Sequence, residues 1–138
     1  MLLAGMVLGF AGPLPALESA DFLKKANEER AAAGLPILLS DEKLNALAAD
    51  WAVKAAENKS LAHRKELPNL RASQGWNYLN ENIYSGSGVV DAARVFRIWM
   101  KSPGHRRNLM NTTLTHAGFG FATNKDGETY VVFNGGTR

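Results

Sequence analysis

The stretch Trp99–Asn108, WMKSPGHRRN, joins an apolar helical pattern to a Ser-Pro-Gly turn that a histidine follows. Before the turn, apolar residues recur at intervals of three and four, which predicts a helix over about 89–100. Its inward-facing residues are predicted to be Val90, Ala93, Phe96 and Trp99. After the turn, Ser102 fits the N-cap of a short helix ending near Leu109, with proline at its first position. The stretch therefore predicts two consecutive helices, with His105 near the beginning of the second.

Two further helices are predicted closer to the N-terminus. Ser19 can cap a helix that carries ADFLKKANEERAAAGL, and Gly34 provides its end. The inner face of this helix is predicted to hold Phe22, Leu23, Ala26 and Arg30. Ser40 precedes the second helix, DEKLNALAADWAVKAAENK, whose first turn is acidic, as the positive end of a helix dipole favours. The inner face of the second helix is predicted to hold Leu44, Leu47, Ala48, Trp51 and Ala55.

The remaining segments predict a loop and a hairpin. From Ser60 to Ser87 the helical spacing is lost, which predicts a long ordered loop with NENIY as a short strand inside it. The β-rich runs HAGFGFAT and ETYVVFNG flank the turn cluster NKDG, which predicts a β-hairpin. Helices first and antiparallel strands last indicate an α+β fold built in layers.

The length and the N-terminal composition define the domain organisation. A chain of 138 residues suits one domain, which we place at residues 18–138. Residues 1–17, MLLAGMVLGFAGPLPAL, are similar to a secretory signal and predict export, while the alternative is an apolar arm packed on the domain. This apolar stretch is too short to span a bilayer, so we expect no transmembrane segment.

Charge and cysteine content exclude several classes of partner and site. The net charge is only +3 and the basic residues are scattered along the chain, so nucleic acid is not expected as a partner. The chain has no cysteine, which excludes disulfides, thiolate zinc sites and a thiol nucleophile. The basic run around the third predicted helix is interpreted as a solvent-facing surface. It comprises Arg94, Arg97, Lys101, Arg106 and Arg107.

The candidates for chemistry are Glu81 and the three histidines, His63, His105 and His116. Two neutral imidazoles and a carboxylate can hold a divalent metal ion, or act as a general acid/base pair with an orienting carboxylate. Spacing alone supports neither, because these residues are far apart and form no short ligand motif. Ser102 with His105 as its base is a possible nucleophile that we disfavour, because a serine before proline is an ordinary helix cap.

Three aromatic residues near Glu81 have two interpretations. Trp76, Tyr78 and Tyr84 fall in the predicted loop on either side of this carboxylate. Such residues can line a groove that binds a ligand, or they can staple the loop to the domain. The sequence alone leaves both interpretations open.

Four blocks of the sequence, taken in order, resemble a known family. These blocks are FLKKANEERAAAGLPILLSDEKLNALAADWAVKAAENKSLAHR, NENIY, WMKSPGHRRNLMN and THAGFGFA. Together they are similar to the CAP (SCP) domain of cysteine-rich secretory proteins, antigen 5 and pathogenesis-related proteins, in its bacterial branch. The resemblance implies a three-layer α-β-α sandwich with a central antiparallel sheet. It also implies a cleft at which His63, Glu81 and His105 meet.

The resemblance also implies where this chain departs from its relatives. Many of them have a second glutamate in the cleft three residues after the tryptophan of the third helix, and that position is Ser102 here. Asn80 stands where the relatives have the glycine of a GEN motif. Relatives have been linked to zinc binding through the two histidines, to sterol or fatty-acid binding, to proteolysis and to cell-wall interactions. The loss of one carboxylate predicts weaker binding of a divalent metal.

The leading hypothesis is an exported bacterial CAP-domain protein that binds a ligand at this cleft. His63, Glu81, Ser102 and His105 form the polar site, with His63 and His105 as ligands of zinc, the candidate cofactor, and Trp76, Tyr78 and Tyr84 near the wall. The expected partners are a small molecule, a lipid or a cell-wall fragment, and the expected state is a monomer or weak dimer. The expected location is extracellular or in the cell envelope, including the periplasm. The alternatives are a metal-assisted hydrolase or peptidase and a structural or partner-binding surface protein with a vestigial cleft.

Overall fold

The structure, a computed structural model, describes residues 16–138. The signal-like segment predicted at 1–17 lies outside the described residues, apart from Ala16 and Leu17. Over the described range the chain forms five helices and four strands. The helices are α1 (Ser19–Ala32), α2 (Glu42–Asn58), α3 (Leu67–Ser73), α4 (Ala92–Lys101) and α5 (Pro103–Leu109). The strands are β1 (Leu39–Ser40), β2 (Tyr78–Ser87), β3 (His116–Thr123) and β4 (Glu128–Thr137).

The strands form one sheet in the order β1-β3-β4-β2. Strands β3 and β4 pair antiparallel as the predicted hairpin, and β2 pairs antiparallel with the other side of β4. The two residues of β1 pair parallel with the start of β3, so the sheet is mixed at that end. The α+β fold is therefore confirmed, with an antiparallel body of three long strands and β2 at its free edge.

Helices cover both faces of this sheet. On one face, aromatic side chains of β3 and β4 such as Phe119 and Phe133 pack against Phe22 of α1 and Phe96 of α4. On the other face, α2 contributes Ala48 and Ala52, which lie against Ile83 and Val132 of the sheet. Successive residues of a strand point to opposite faces, so each strand supplies both layers. The arrangement is the three-layer α-β-α sandwich.

Glycine allows α2 to lie very close to β3. A Cβ atom at Gly118 would overlap the backbone of α2 at Leu44 and Asn45, and one at Gly120 would overlap its backbone at Ala48 and Ala49. Both glycines face α2, while the intervening Phe119 faces the opposite layer. This close contact fixes the height of α2 above the sheet and therefore the position of the loop that follows it.

The structure corrects several details of the sequence-based expectations. The N-cap of α1 is Glu18 rather than Ser19, and that of α2 is Asp41, whose carboxylate accepts a hydrogen bond from the Leu44 N–H at 3.0 Å. In the third predicted helix, Ala93 is exposed, and Val95 takes the buried position. The two caps differ from the predicted ones by one residue, as is common at helix ends. The change in α4 is one of face, because its inner side runs through Val95, Phe96 and Trp99.

The largest difference lies between Ser60 and Ser87, where the sequence predicts a loop. This region contains the seven-residue α3 and the ten-residue strand β2. Helix α3 packs Leu67 and Leu70 on a small apolar cluster that includes Trp76. The sequence predicts only NENIY, because the Ser-Gly-Ser run at 85–87 has the composition of a loop, yet it pairs with β4. Within NENIY, Asn80, Glu81 and Asn82 are polar and nevertheless buried. Their polar groups are satisfied by partners distant in sequence, which no local pattern reveals.

Candidate functional site

The four polar residues predicted for the site lie in two pairs near the free edge of β2. Glu81 lies on the α2 face of this strand, and its side chain is 2% exposed. Its Oε1 accepts a hydrogen bond from the Arg64 backbone N–H at 3.0 Å and lies 3.0 Å from Nδ1 of His63. An ionised carboxylate only accepts hydrogen bonds, so Nδ1 of His63 is the donor and Nε2 of the neutral ring is left as an acceptor.

The loop after α2 holds His63 in this position. Trp51 donates its indole N–H to the Ala62 carbonyl at 3.1 Å. The Arg64 guanidinium donates to the Leu47 carbonyl at 3.0 Å, pairs with Asp50, and stacks 5.6 Å from the Trp51 ring. The loop is thus fixed on both sides of the histidine, although the His63 side chain itself is 65% exposed.

His105 approaches the same edge from the opposite layer. It lies in the first turn of α5, where its Nδ1 is 2.9 Å from the Ser102 hydroxyl. The Ser102 side chain makes no capping hydrogen bond to the backbone of α5, contrary to the role expected from the sequence. The His105 ring lies near Trp99, with ring centroids 6.3 Å apart. Nδ1 is engaged by the hydroxyl, and in the tautomer in which Nδ1 donates to Ser102 Oγ, Nε2 keeps its lone pair for a ligand.

Buried amides connect the two halves of the site. Asn82 donates from its side chain to the His105 carbonyl at 2.9 Å. Asn108 donates to the Glu81 carbonyl at 3.0 Å and to the Asn82 side chain at 2.9 Å. These bonds join residues more than twenty positions apart in sequence, so β2 and α5 are held in register at the site. Sequence analysis singled out neither asparagine, because a buried amide has no local signature.

The geometry identifies an edge site, defined as His63, Glu81, Ser102 and His105. The structure brings His63 to Glu81 and Ser102 to His105, and the positive charge of His63, when it is protonated, acts on His105. The third histidine, His116, lies elsewhere, with its ring edge-on to Trp76 at 5.6 Å. Within residues 16–138, no three His, Asp or Glu side chains are arranged closely enough to hold a metal ion by themselves.

This chain is similar to known proteins in both sequence and structure. The sequence pattern of the cysteine-rich secretory protein family, CAP, matches residues 23–134. The chain belongs to the CAP family. An uncharacterized protein of Borreliella burgdorferi is 30% identical over 124 residues, which is 86% of this chain and 74% of that protein.

Solved structures share the fold of this chain. An outer surface protein of Borrelia burgdorferi has a TM-score of 0.74 and 27% identity, and the match covers 84% of this chain and 89% of that one. An extracellular SCP-domain protein of Bacillus anthracis has a TM-score of 0.72 and 22% identity, and the match covers 93% of this CAP chain and 45% of that one. The proteins similar in structure thus include outer-surface and extracellular proteins.

The aromatic residues predicted at the cleft wall have separate environments in this CAP domain. Trp76 is 2% exposed and lies under the Arg138 guanidinium, in the cluster with Leu44. Tyr84 is buried in the main core, and Tyr78 at the start of β2 is 38% exposed. Trp76 and Tyr84 therefore staple the segment to the domain, which was the second of the two interpretations.

A cavity in the described part of this CAP domain is lined by residues other than those of the edge site. Its volume is about 660 Å³, and it lies between the start of α1 and the segment that enters α4. Phe22, Val89, Val90 and Ala93 are among its lining residues. None of the four edge-site residues lines it. The polar edge site and this largely apolar cavity are thus formed by different residues.

Protonation of His105 is expected to destabilise the domain at acidic pH. Burial, followed by the positive charge of His63, lowers the pKa of His105 from its ordinary value of 6.5. The unfolded chain therefore binds this proton more readily than the folded one, so the free energy of unfolding falls as the pH drops below about 6.5 and through the folded-state pKa.

Proton NMR titration of the histidine rings measures this shift directly. We expect His105 to titrate below its ordinary pKa, and His63→Ala to raise the His105 pKa because the neighbouring positive charge is removed. His116→Ala provides the control, since His116 contacts Trp76 instead. An unchanged His105 pKa in His63→Ala would show that the two rings are electrostatically independent.

Proposed function

We propose that this CAP-domain protein acts outside the cytoplasm as a binding module whose edge site takes a divalent metal ion or a polar ligand. The observation that carries the proposal is the matched state of the two histidines. Each has its Nδ1 engaged, His63 by Glu81 and His105 by Ser102, and each has Nε2 without a hydrogen bond to the described residues. An extracellular location is supported by the signal-like N-terminal segment and by the outer-surface and extracellular relatives.

Zinc is the metal ion that suits these donors best. Imidazole nitrogen is a common zinc ligand, and a metal-bound histidine usually donates its other N–H to a carboxylate, as His63 does to Glu81. Glu81 is better placed to orient a ligand than to be one, because its Oε1 accepts from His63 and Arg64, its Oε2 lies 3.5 Å from the Asn134 side-chain amide, and its side chain is 2% exposed. Two protein ligands leave positions for water or an external ligand, and a bound ion would supply Lewis acidity there. We therefore propose weak zinc binding.

The geometry favours binding over hydrolysis. A metal-assisted hydrolase needs a general base near the metal-bound water. Glu81 is 2% exposed and already engaged, so it is poorly placed for that role. The Ser102 hydroxyl is hydrogen-bonded to Nδ1 of His105 at 2.9 Å, three residues along the chain. This contact is consistent with a hydroxyl that positions the ring and does not act as a nucleophile.

Zinc titration by calorimetry tests the proposal. We expect saturable one-site binding to the full chain, loss of binding in His63→Ala/His105→Ala, and affinity lowered by about 10- to 100-fold in Glu81→Gln. His116→Ala is the matched control and should bind zinc like the unsubstituted chain. Binding that persists in the double variant would reject the edge site as the metal site.

A parallel titration with a fluorescent fatty acid tests whether the cavity, and not the edge site, binds the ligand. The cavity of about 660 Å³ has the size of ordinary small-molecule sites, and its lining is largely apolar, with Asp21 and Asp91 among the polar residues. Fatty-acid binding without zinc binding would favour the cavity over the edge site as the place where this protein binds its ligand. Binding of neither would leave the vestigial-cleft alternative, in which the surface contacts a partner.

A further inference from the structure

The outer face of α4 is basic. Val95, Phe96 and Trp99 are buried on its inner face, and Arg97, Ile98 and Lys101 lie on the opposite side of the helix. Arg97 and Lys101 are four residues apart, so their side chains are neighbours, and both residues are exposed. Helix α4 is thus an amphipathic helix whose outer face is cationic.

Helix α5 extends this charge. It follows α4 after the single residue Ser102, and it carries the exposed residues Arg106 and Arg107. We define the α4–α5 basic surface as Arg97, Ile98, Lys101, Arg106 and Arg107. It places four cationic side chains within eleven residues of the chain.

No acidic side chain of the same segment neutralises this surface. The chain has no Asp or Glu from Ala92 to Lys125. In residues 16–138, none of the four cationic side chains forms an ion pair or a side-chain hydrogen bond. Elsewhere, basic residues such as Lys25, Lys54 and Arg64 pair with carboxylates. The α4–α5 basic surface is therefore a local group of four cationic side chains without a carboxylate partner among the described residues.

The residue types indicate the chemistry of the partner. Three of the four cations are arginines, whose planar guanidinium groups match the geometry of phosphate oxygens. Ile98 is 49% exposed among them, so the surface combines phosphate-binding groups with an apolar side chain. Phospholipid headgroups present phosphate over an apolar layer, a combination that a soluble polyanion lacks.

We propose that the α4–α5 basic surface docks the protein onto an anionic phospholipid membrane. The proposal is independent of metal binding, because it involves none of the edge-site residues. It nevertheless has a consequence for them. His105 lies in the chain between Lys101 and Arg106, so docking brings the edge site next to the membrane surface.

Vesicle binding of the full chain tests the proposal. The probes are phosphatidylcholine vesicles with and without phosphatidylglycerol, at low and at high salt. The variant Arg97→Glu/Lys101→Glu changes the surface, and Lys24→Glu/Lys43→Glu makes the same charge change at two exposed lysines of α1 and α2. If each cation contributes about 1 kcal/mol near an anionic surface, the first variant should lose at least about tenfold in phosphatidylglycerol-dependent binding. The control should lose less than about threefold, and high salt should abolish the difference.

Three results would overturn the proposal. Equal losses in the two variants would indicate a net-charge effect without a defined surface. Equal binding to vesicles with and without phosphatidylglycerol would indicate attachment through another part of the chain. Binding to soluble polyphosphate without binding to the vesicles would assign the surface to a polyanion and reject the membrane. Circular dichroism checks that each variant is folded. If Arg97→Glu/Lys101→Glu does not fold, the neutral variant Arg97→Gln/Lys101→Gln is measured in its place.

Discussion

We expect the substitution Gly120→Ala to lower the free energy of unfolding by about 3 kcal/mol or more, at the upper end of overpacking effects. The added Cβ would overlap the backbone of α2 at Ala48 and Ala49. A helix backbone cannot move aside as a flexible side chain does, so α2 would have to lift from the sheet. Lifting would also separate Ala48 and Ala52 from Val132, which removes apolar contacts. Urea denaturation monitored by circular dichroism measures the loss.

Gly104→Ala is the matched control for this prediction. Gly104 lies in α5, and a Cβ atom there would have nothing within 4 Å. Alanine is the better helix former, so this substitution should be neutral or should stabilise by up to about 1 kcal/mol. If Gly120→Ala lowered the free energy of unfolding no more than Gly104→Ala does, α2 would not lie as close to β3 as the structure has it.

The second large effect is expected from Arg30→Met. Arg30 is fully buried, and burial lowers the pKa of its guanidinium. Its Nε donates to the Pro36 carbonyl at 2.9 Å, and its Nη1 donates to the carbonyls of Leu109 and Asn111 at 3.0 and 2.7 Å. One side chain of α1 thus holds the C-terminal end of α5. Methionine fills much of the volume but leaves these carbonyls without a donor, so we expect a loss of about 3 kcal/mol.

The same substitution should weaken the edge site, because α5 carries His105. We expect zinc affinity to fall in Arg30→Met even at temperatures where the variant is folded. Arg71→Met is the control, since Arg71 is exposed and its hydrogen bonds to carbonyls are longer, at 3.3 and 3.4 Å. That variant should lose less than about 1 kcal/mol and bind zinc normally. A similar loss in both variants would show that Arg30 makes no special contribution.

Regular patterns in the sequence predicted the helices α1, α2, α4 and α5 and the hairpin of β3 and β4. They did so because apolar periodicity and turn residues are local signals. Only the short NENIY part of β2 was predicted, because the Ser-Gly-Ser run that ends the strand has the composition of a loop. The burial of the polar residues in NENIY depends on partners that are distant in sequence. Asn80, for example, donates to the Asn108 carbonyl and accepts from the Gly135 N–H.

The sequence likewise predicted only part of the edge site. Its histidines and glutamate were identified through the resemblance to relatives, whereas their contacts depend on how α2, β2 and α5 meet. Trp51 was placed on the core face by helical spacing, yet it supports the loop beside His63. Arg64 carries no motif that separates it from the other arginines, although its backbone and side chain both anchor that loop. Such roles follow from tertiary contacts and are absent from local patterns.

The free edge of β2 has a consequence for the behaviour of the protein at high concentration. An exposed edge strand offers unpaired carbonyls and N–H groups to a strand of another molecule, which leads to aggregation. Here Asn108 already donates to the Glu81 carbonyl and Trp99 to the Ile83 carbonyl, at 3.0 and 3.4 Å. Side chains of α4 and α5 therefore occupy positions that an added strand would need. Asn108 and Trp99, which lie beside the edge site, thus also hinder the addition of a strand from another molecule.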